Sequence, residues 1–158
     1  MNLWYGWMAW LVAFAACHAA SGNREAGLSK SSSGFSISLQ RLPGPHKQSA
    51  YTLTIDEYGQ ATYFGGQNAQ RKGTFYRKLT ADEVNALATV CRAVDWPAQA
   101  TQVASKSLDV QASVLTYTRI EGESYKINHK DQLPPALKAV EQLLEEIGRV
   151  GEWKVEKE

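Results

Sequence analysis

Phe35, Ile37 and Leu39 alternate with Ser36, Ser38 and Gln40. A period of two puts the three apolar side chains on one face of a half-buried strand. Leu42-Pro43-Gly44-Pro45 stops it, because proline cannot donate to a ladder and glycine relaxes the turn. The alternation resumes with Tyr51, Leu53 and Ile55 against Thr52, Thr54 and Asp56. Asp56-Glu57-Tyr58-Gly59 is a turn signal, so this strand and a short one from Ala61 to Phe64 are expected to form a hairpin. Gly65-Gly66 breaks the chain again, and a fourth strand is expected from Gly73 to Leu79.

The period changes at Thr80. Thr80-Ala81-Asp82-Glu83 is a capping box, with Thr80 as N-cap and Glu83 reaching back to its amide, and Leu79 and Val84 occupy the positions of a hydrophobic staple. Val84, Leu87, Ala88, Cys91 and Val94 then share one helical face. Asp95-Trp96-Pro97 is expected to end this helix, since the residue before proline is pushed out of the helical region. Trp96 is expected at the edge of the core. A polar loop leads to a long strand from Leu108 to Ile120, a tight turn at Glu121-Gly122, and a return strand from Ser124 to His129. Pro134-Pro135 opens a second helix, where a proline in the first turn removes no hydrogen bond. Leu137, Val140, Leu144 and Ile147 form its apolar face, and Gly148 or Gly151 its end.

The order ββββ-α-ββ-α predicts an α+β fold. An antiparallel sheet of about six strands would carry both amphipathic helices on one face, because each helix must cover the sheet's apolar side.

Ahead of this body lies a different pattern. Leu3 to Ala16 is apolar and uncharged, too short for an ordinary membrane-spanning helix of ~20 residues and suited to the core of a signal peptide. It ends in Phe14-Ala15-Ala16-Cys17. Small residues before a cysteine resemble the bacterial lipobox, where the thiol receives a diacylglyceryl group, so Cys17 is the expected lipidation site. Cleavage near Ala19 or Ala20, giving a soluble secreted form, is the alternative. The Ser- and Gly-rich stretch that follows reads as a tether, letting the domain range on the order of 20–25 Å from its anchor. The expected organisation is a lipoprotein-type signal peptide over 1–16, anchor and tether over 17–34, one α+β domain over 35–153 and a charged tail over 154–158. A body of roughly 120 residues can bury one core without metal or disulfide staples.

Charge and composition narrow the function. The formal charge of +1 comes from interspersed acidic and basic residues, whereas nucleic-acid binding requires a concentrated basic face. The densest basic spots, Arg71-Lys72 and Arg77-Lys78, read as a solvated strand edge. Two cysteines are too few for a cysteine-based zinc site, and Cys91 reads as a small buried hydrophobe. No metal or other cofactor is expected. There is no G-x-S-x-G, C-x-x-C or H-E-x-x-H pattern, and Gly65-Gly66 lacks the following helix that would aim amides at a phosphate. Of the three histidines, His18 lies in the tether, His46 in the proline loop and His129 at a strand end, where it is expected to fill a strand-to-helix turn.

Taken in order, Ile37-Ser38-Leu39-Gln40-Arg41, Pro43, Tyr51, Gly59, Gly73, the capped helix ending near Trp96, and Glu152-Trp153 resemble domain-of-unknown-function family 6438, found in bacterial envelope and lipoprotein-like proteins. The resemblance runs from about Ile37 to Trp153 and implies an envelope protein without an established activity. Family members usually carry a Cys-x-x-x-Cys-Pro loop before the tyrosine. Those two cysteine positions are Gly44 and Gln48 here, so a disulfide or thiol function of that loop is not expected in this protein.

The function expected is that of a non-catalytic binding or accessory domain, exported and held at the cell envelope by its lipid, acting on an envelope protein. Pro43, Pro45, His46 and Lys47 form the candidate binding loop, since the two prolines pre-order it. An inhibitor-like protein inserting residues 43–49 into a partner enzyme is one alternative. An enzyme of unfamiliar type using His46 or His129 is the other, and it requires one of those histidines to meet acidic or hydroxyl side chains in one cleft.

Overall fold

The computed structural model describes residues 34–44, 47–100, 110–130 and 133–155. The signal segment, Cys17 and the tether through residue 33 lie outside the described residues, as do Pro45 and His46. Strands β1 (Phe35–Arg41), β2 (Tyr51–Asp56), β3 (Gln60–Gly65) and β4 (Gly73–Lys78) precede helices α1 (Ala81–Arg92) and α2 (Trp96–Ala100). Strands β5 (Ser113–Arg119) and β6 (Ser124–His129), helix α3 (Pro135–Arg149) and a short β7 (Lys154–Val155) complete the chain. The strands form one seven-stranded sheet in the order β6-β5-β1-β2-β3-β4-β7, with every neighbouring pair antiparallel. The fold class is the α+β class expected.

The alternation in β1 sets the sheet's two faces. Ile37 stands opposite Ile55 of β2 and Tyr117 of β5, and Leu39 opposite Leu53 and Leu115. These side chains are buried with Leu87, Ala88 and Cys91 of α1 and Leu137, Val140, Leu144 and Ile147 of α3. Each large aliphatic side chain removed from water in this layer contributes about 1.5–3 kcal/mol. The other face carries Ser36, Ser38, Thr52, Thr54, Thr62 and Thr116, all only partly buried.

The capping box is present in full: Thr80 Oγ1 accepts from the Glu83 amide, and a Glu83 carboxylate oxygen accepts from the Thr80 amide at 2.9 Å. Several expectations need correction. The chain does not become loop at Trp96; a new short helix starts there, with Asp95 Oδ1 accepting from the Ala98 amide and Pro97 in the first turn. Trp96 is no edge residue either. It is 1% exposed, stacks on Tyr117 with ring centroids 4.5 Å apart, and donates from Nε1 to the Cys91 carbonyl. The long strand expected from Leu108 begins at Ser113 among the described residues, and Gln111, two residues before it, donates from its side chain to the carbonyls of the β1–β2 loop. Gly34, placed in the tether by its sequence, is buried, and its carbonyl accepts from the Ile120 amide. Lys154 and Val155, read as tail, pair with Tyr76 and Phe75 as β7.

The two basic pairs are not simply a solvated edge. Arg71 Nη1 donates to the Gly148 carbonyl, and Arg77 Nη1 to those of Ile147 and Val150. The last carbonyls of α3 have no partners within the helix, and cations there also favour its dipole. Both arginines therefore cap a helix, leaving Lys72 and Lys78 as the exposed members of their pairs.

Candidate functional site: the polar end of the sheet

The parity that buries Phe35, Ile37 and Leu39 also turns Arg41 inward. Arg41 stands opposite Tyr51 and Ser113, and Ser113 opposite His129. The last inner row across β6, β5, β1 and β2 therefore reads His129, Ser113, Arg41, Tyr51, directly after an apolar row of Ile127, Leu115, Leu39 and Leu53. Helix α3 supplies the complement. Glu141 and Glu145 are one turn apart and follow Val140 and Leu144, so they share the sheet-facing side of the helix.

Arg41 ties these elements together. Its Nη1 donates to Ser113 Oγ and its Nη2 to Glu145, with Glu141 Oε1 also 3.2 Å from Nη2. Ser113 is fully buried and His129 is 5% exposed. His129 Nε2 lies 3.2 Å from Glu141 Oε1, within ion-pair distance, yet the two are not aligned for a hydrogen bond, and both atoms are sealed from solvent. Burial pushes the Glu141 carboxyl up, but His129 and the Arg41 guanidinium more than offset it and hold the group below the usual carboxylate range. For Arg41, burial works against the charge, and the Glu145 hydrogen bond with both carboxylates raises its pKa above the ordinary value. Burial and the nearby Glu145 charge push the Tyr51 phenol up.

An open pocket of about 410 Å³ lies over this cluster. Beside Arg41, Tyr51, His129, Glu141 and Glu145 it is lined by Gln48, Ser49, Val110, Gln111 and Lys130. Its rim is the base of the β1–β2 loop. Gln111 Nε2 donates to the carbonyls of Leu42 at 2.7 Å and Ser49 at 2.8 Å, clamping the two ends of the loop, and Ser49 Oγ donates to the Asn68 carbonyl. Within the loop Pro43 and Lys47 are exposed. Lys47 has φ 55°, a left-handed conformation unusual for a residue with a Cβ. Gly44 and Gln48 face one another: a Cβ at position 44 would come within 2.0 Å of Gln48 Oε1.

Of the residues singled out from sequence, Pro43 and Lys47 sit on the loop as expected, while Cys17, Pro45 and His46 lie outside the described residues. His129 does not merely fill a turn. It is an inner-face residue of β6 buried against α3, and it lines the pocket. Arg41, Ser113, Glu141 and Glu145 were not picked out from sequence. The signals were two: a charged residue at an inward position of β1, and two glutamates spaced by four on the apolar side of α3. Among the described residues no group of His, Cys, Asp and Glu side chains is arranged to hold a metal ion. No described helix is long and apolar enough to cross a membrane.

Residues 36–148 match the family model described as Domain of unknown function (DUF6438). No curated protein matches the chain.

Proposed function

Since the chain belongs to the domain of unknown function family 6438, we propose that it is an exported lipoprotein, anchored through Cys17, whose α+β body is a binding domain of the cell envelope. The binding end is the β1–β2 loop and the polar pocket beneath it. The observation that carries this reading is the clamp: Gln111 fixes both ends of a loop whose Pro43 and Lys47 face solvent. A loop held at its stem loses little freedom when a partner engages its tip. The apolar, uncharged Leu3–Ala16 run and the small residues before Cys17 support export and lipidation. A Cys17→Ser variant is expected to leave the membrane fraction or accumulate unprocessed. An unchanged distribution and mature mass would remove the lipid anchor from this account.

The inhibitor-like alternative uses the same loop, and alanine at His46 and Lys47 separates the two: it abolishes inhibition by an inserted loop but weakens a broader contact only partly. The catalytic alternative draws support from one observation, the meeting of His129 and Glu141 in a single pocket. The nearest hydroxyl in register, Ser113, is fully buried and accepts from Arg41, so it offers no accessible nucleophile.

A further inference from the structure

On the face of the sheet away from α1 and α3, one outward row carries a hydroxyl on five successive strands. Thr116 of β5, Ser38 of β1, Thr54 of β2, Thr62 of β3 and Tyr76 of β4 stand opposite one another in turn. The row ends in a lysine at each margin, Lys126 of β6 opposite Thr116 and Lys154 of β7 opposite Tyr76, both exposed. Strands ~4.8 Å apart put the two lysines on the order of 29 Å from one another. Across β5, β1, β2 and β3 the one charged outward residue is Asp56, and its Oδ1 already accepts from the Tyr58 and Gln60 amides. Lys78, the other outward cation, donates to the Tyr58 carbonyl. Phe64 is 54% exposed and lies diagonally across the β3–β4 pair from Tyr76, a separation of about 7–8 Å.

An almost uncharged centre with aromatic rings, inside a charged rim, has the composition of an interface. Its chemistry selects the occupant. A protein partner calls for an apolar centre, whereas this one is built of hydroxyls, each able both to donate and to accept. That complements a surface itself made of hydroxyls. The Phe64 and Tyr76 rings add apolar faces on which the C–H sides of sugar rings can stack. A row of even spacing suits a linear, repeating chain lying across the strands. Cations at both ends, with the one carboxylate already engaged in its turn, favour an anion. We infer that this face binds a linear acidic glycan, a chain of sugar rings bearing carboxylates, laid along the row between Lys126 and Lys154. The surface is separate from the β1–β2 loop and its occupant is not a protein, so the inference stands or falls independently of the loop's role.

The test is calorimetric titration of the processed full-length chain in detergent with oligomers of polygalacturonate, alginate and hyaluronate. At least one is expected to bind saturably. Its methyl ester, which keeps the hydroxyls and loses the charge, is expected to bind about tenfold more weakly. Poly-L-glutamate, which keeps the charge and has no sugar, is expected not to bind. Thr54→Val combined with Thr62→Val removes two hydroxyls while keeping strand-favouring residues. This variant is expected to lose about tenfold in affinity, with the salt dependence of binding and the circular dichroism spectrum unchanged. Lys126→Ala combined with Lys154→Ala is expected to lose a similar factor and to flatten the salt dependence. Lys138→Ala, which removes an exposed cation from α3 on the other side of the sheet, is expected to have no effect. The proposal is overturned if no oligomer saturates, if the ester or poly-L-glutamate binds as well as the acidic glycan, or if both double variants bind normally.

Discussion

Glu141 Oε1 lies 3.2 Å from His129 Nε2 in a site where both atoms are sealed from water. The carboxyl is held below its ordinary range although burial opposes the charge, because the imidazole and the Arg41 guanidinium both favour it. A depressed folded-state value means that the stability from this group is complete above the unfolded value of about 4.3. That stability is lost as pH falls through the lower folded value. Glu83, which burial also opposes, is held down by the Thr80 amide and Arg77 and acts in the same direction. Urea midpoints are therefore expected to fall between pH 5 and the acid limit. In Glu141→Gln the fall should be shallower, and the variant should be less stable at pH 7, since Arg41 loses one of its two carboxylate partners. Equal acid slopes in the two proteins would contradict the assignment.

Arg77 joins three elements, pairing with Glu83 at the start of α1 while its Nη1 caps the end of α3. Arg77→Ala is expected to cost about 2–3 kcal/mol in urea denaturation, as hydrogen bonds to a charged group are worth about 1.5–3 kcal/mol. Lysine has no planar fork to serve a carboxylate and two carbonyls together, so Arg77→Lys should recover less than half of the loss. Full recovery would mean that charge alone matters here.

The Cys91 thiol is buried on α1, and burial pushes its pKa up to about 12. Because the thiolate is the reactive form, native protein should react with iodoacetamide at pH 8 only as fast as it unfolds, and completely in denaturant. Rapid native labelling, with Cys17 lipidated or replaced by serine, would place this thiol at the surface.

Lys47 holds φ 55° in the candidate binding loop. A β-branched residue resists that region, whereas glycine adopts it freely. Lys47→Val is expected to lose about 1–2 kcal/mol and Lys47→Gly to stay within about 0.5 kcal/mol of the parent, both read from thermal unfolding. Equal effects would show that the loop does not require the left-handed conformation.

What was legible in the sequence was local. Thr80 and Glu83 are three residues apart, and Phe35, Ile37 and Leu39 reveal their common face by alternation, so the helix start and the central strand could be read directly. The polar end could not be read the same way. Arg41 meets Ser113 and Glu145 from 72 and 104 positions away along the chain, and only the register of β1 with β5 and the packing of α3 bring them together. His129 looked like a turn residue because nothing near it in sequence shows that α3 folds back over it. Strand β7 has two residues, both exposed, too short for a period to show. Trp96 was misplaced because Pro97 signals a stop and a helical first turn equally well.

The central claim is that the β1–β2 loop and the pocket below it are the binding end of a tethered domain. Site-specific photo-cross-linking in cells tests it most directly, with the photoreactive residue at Lys47 or, as a control, at Tyr58. Tyr58 is 69% exposed in the turn after β2, at the other end of the strand that Lys47 precedes. The account predicts one recurring envelope adduct from position 47, in the membrane fraction, and none from position 58. Adducts from position 58 alone, or from neither position, would contradict it.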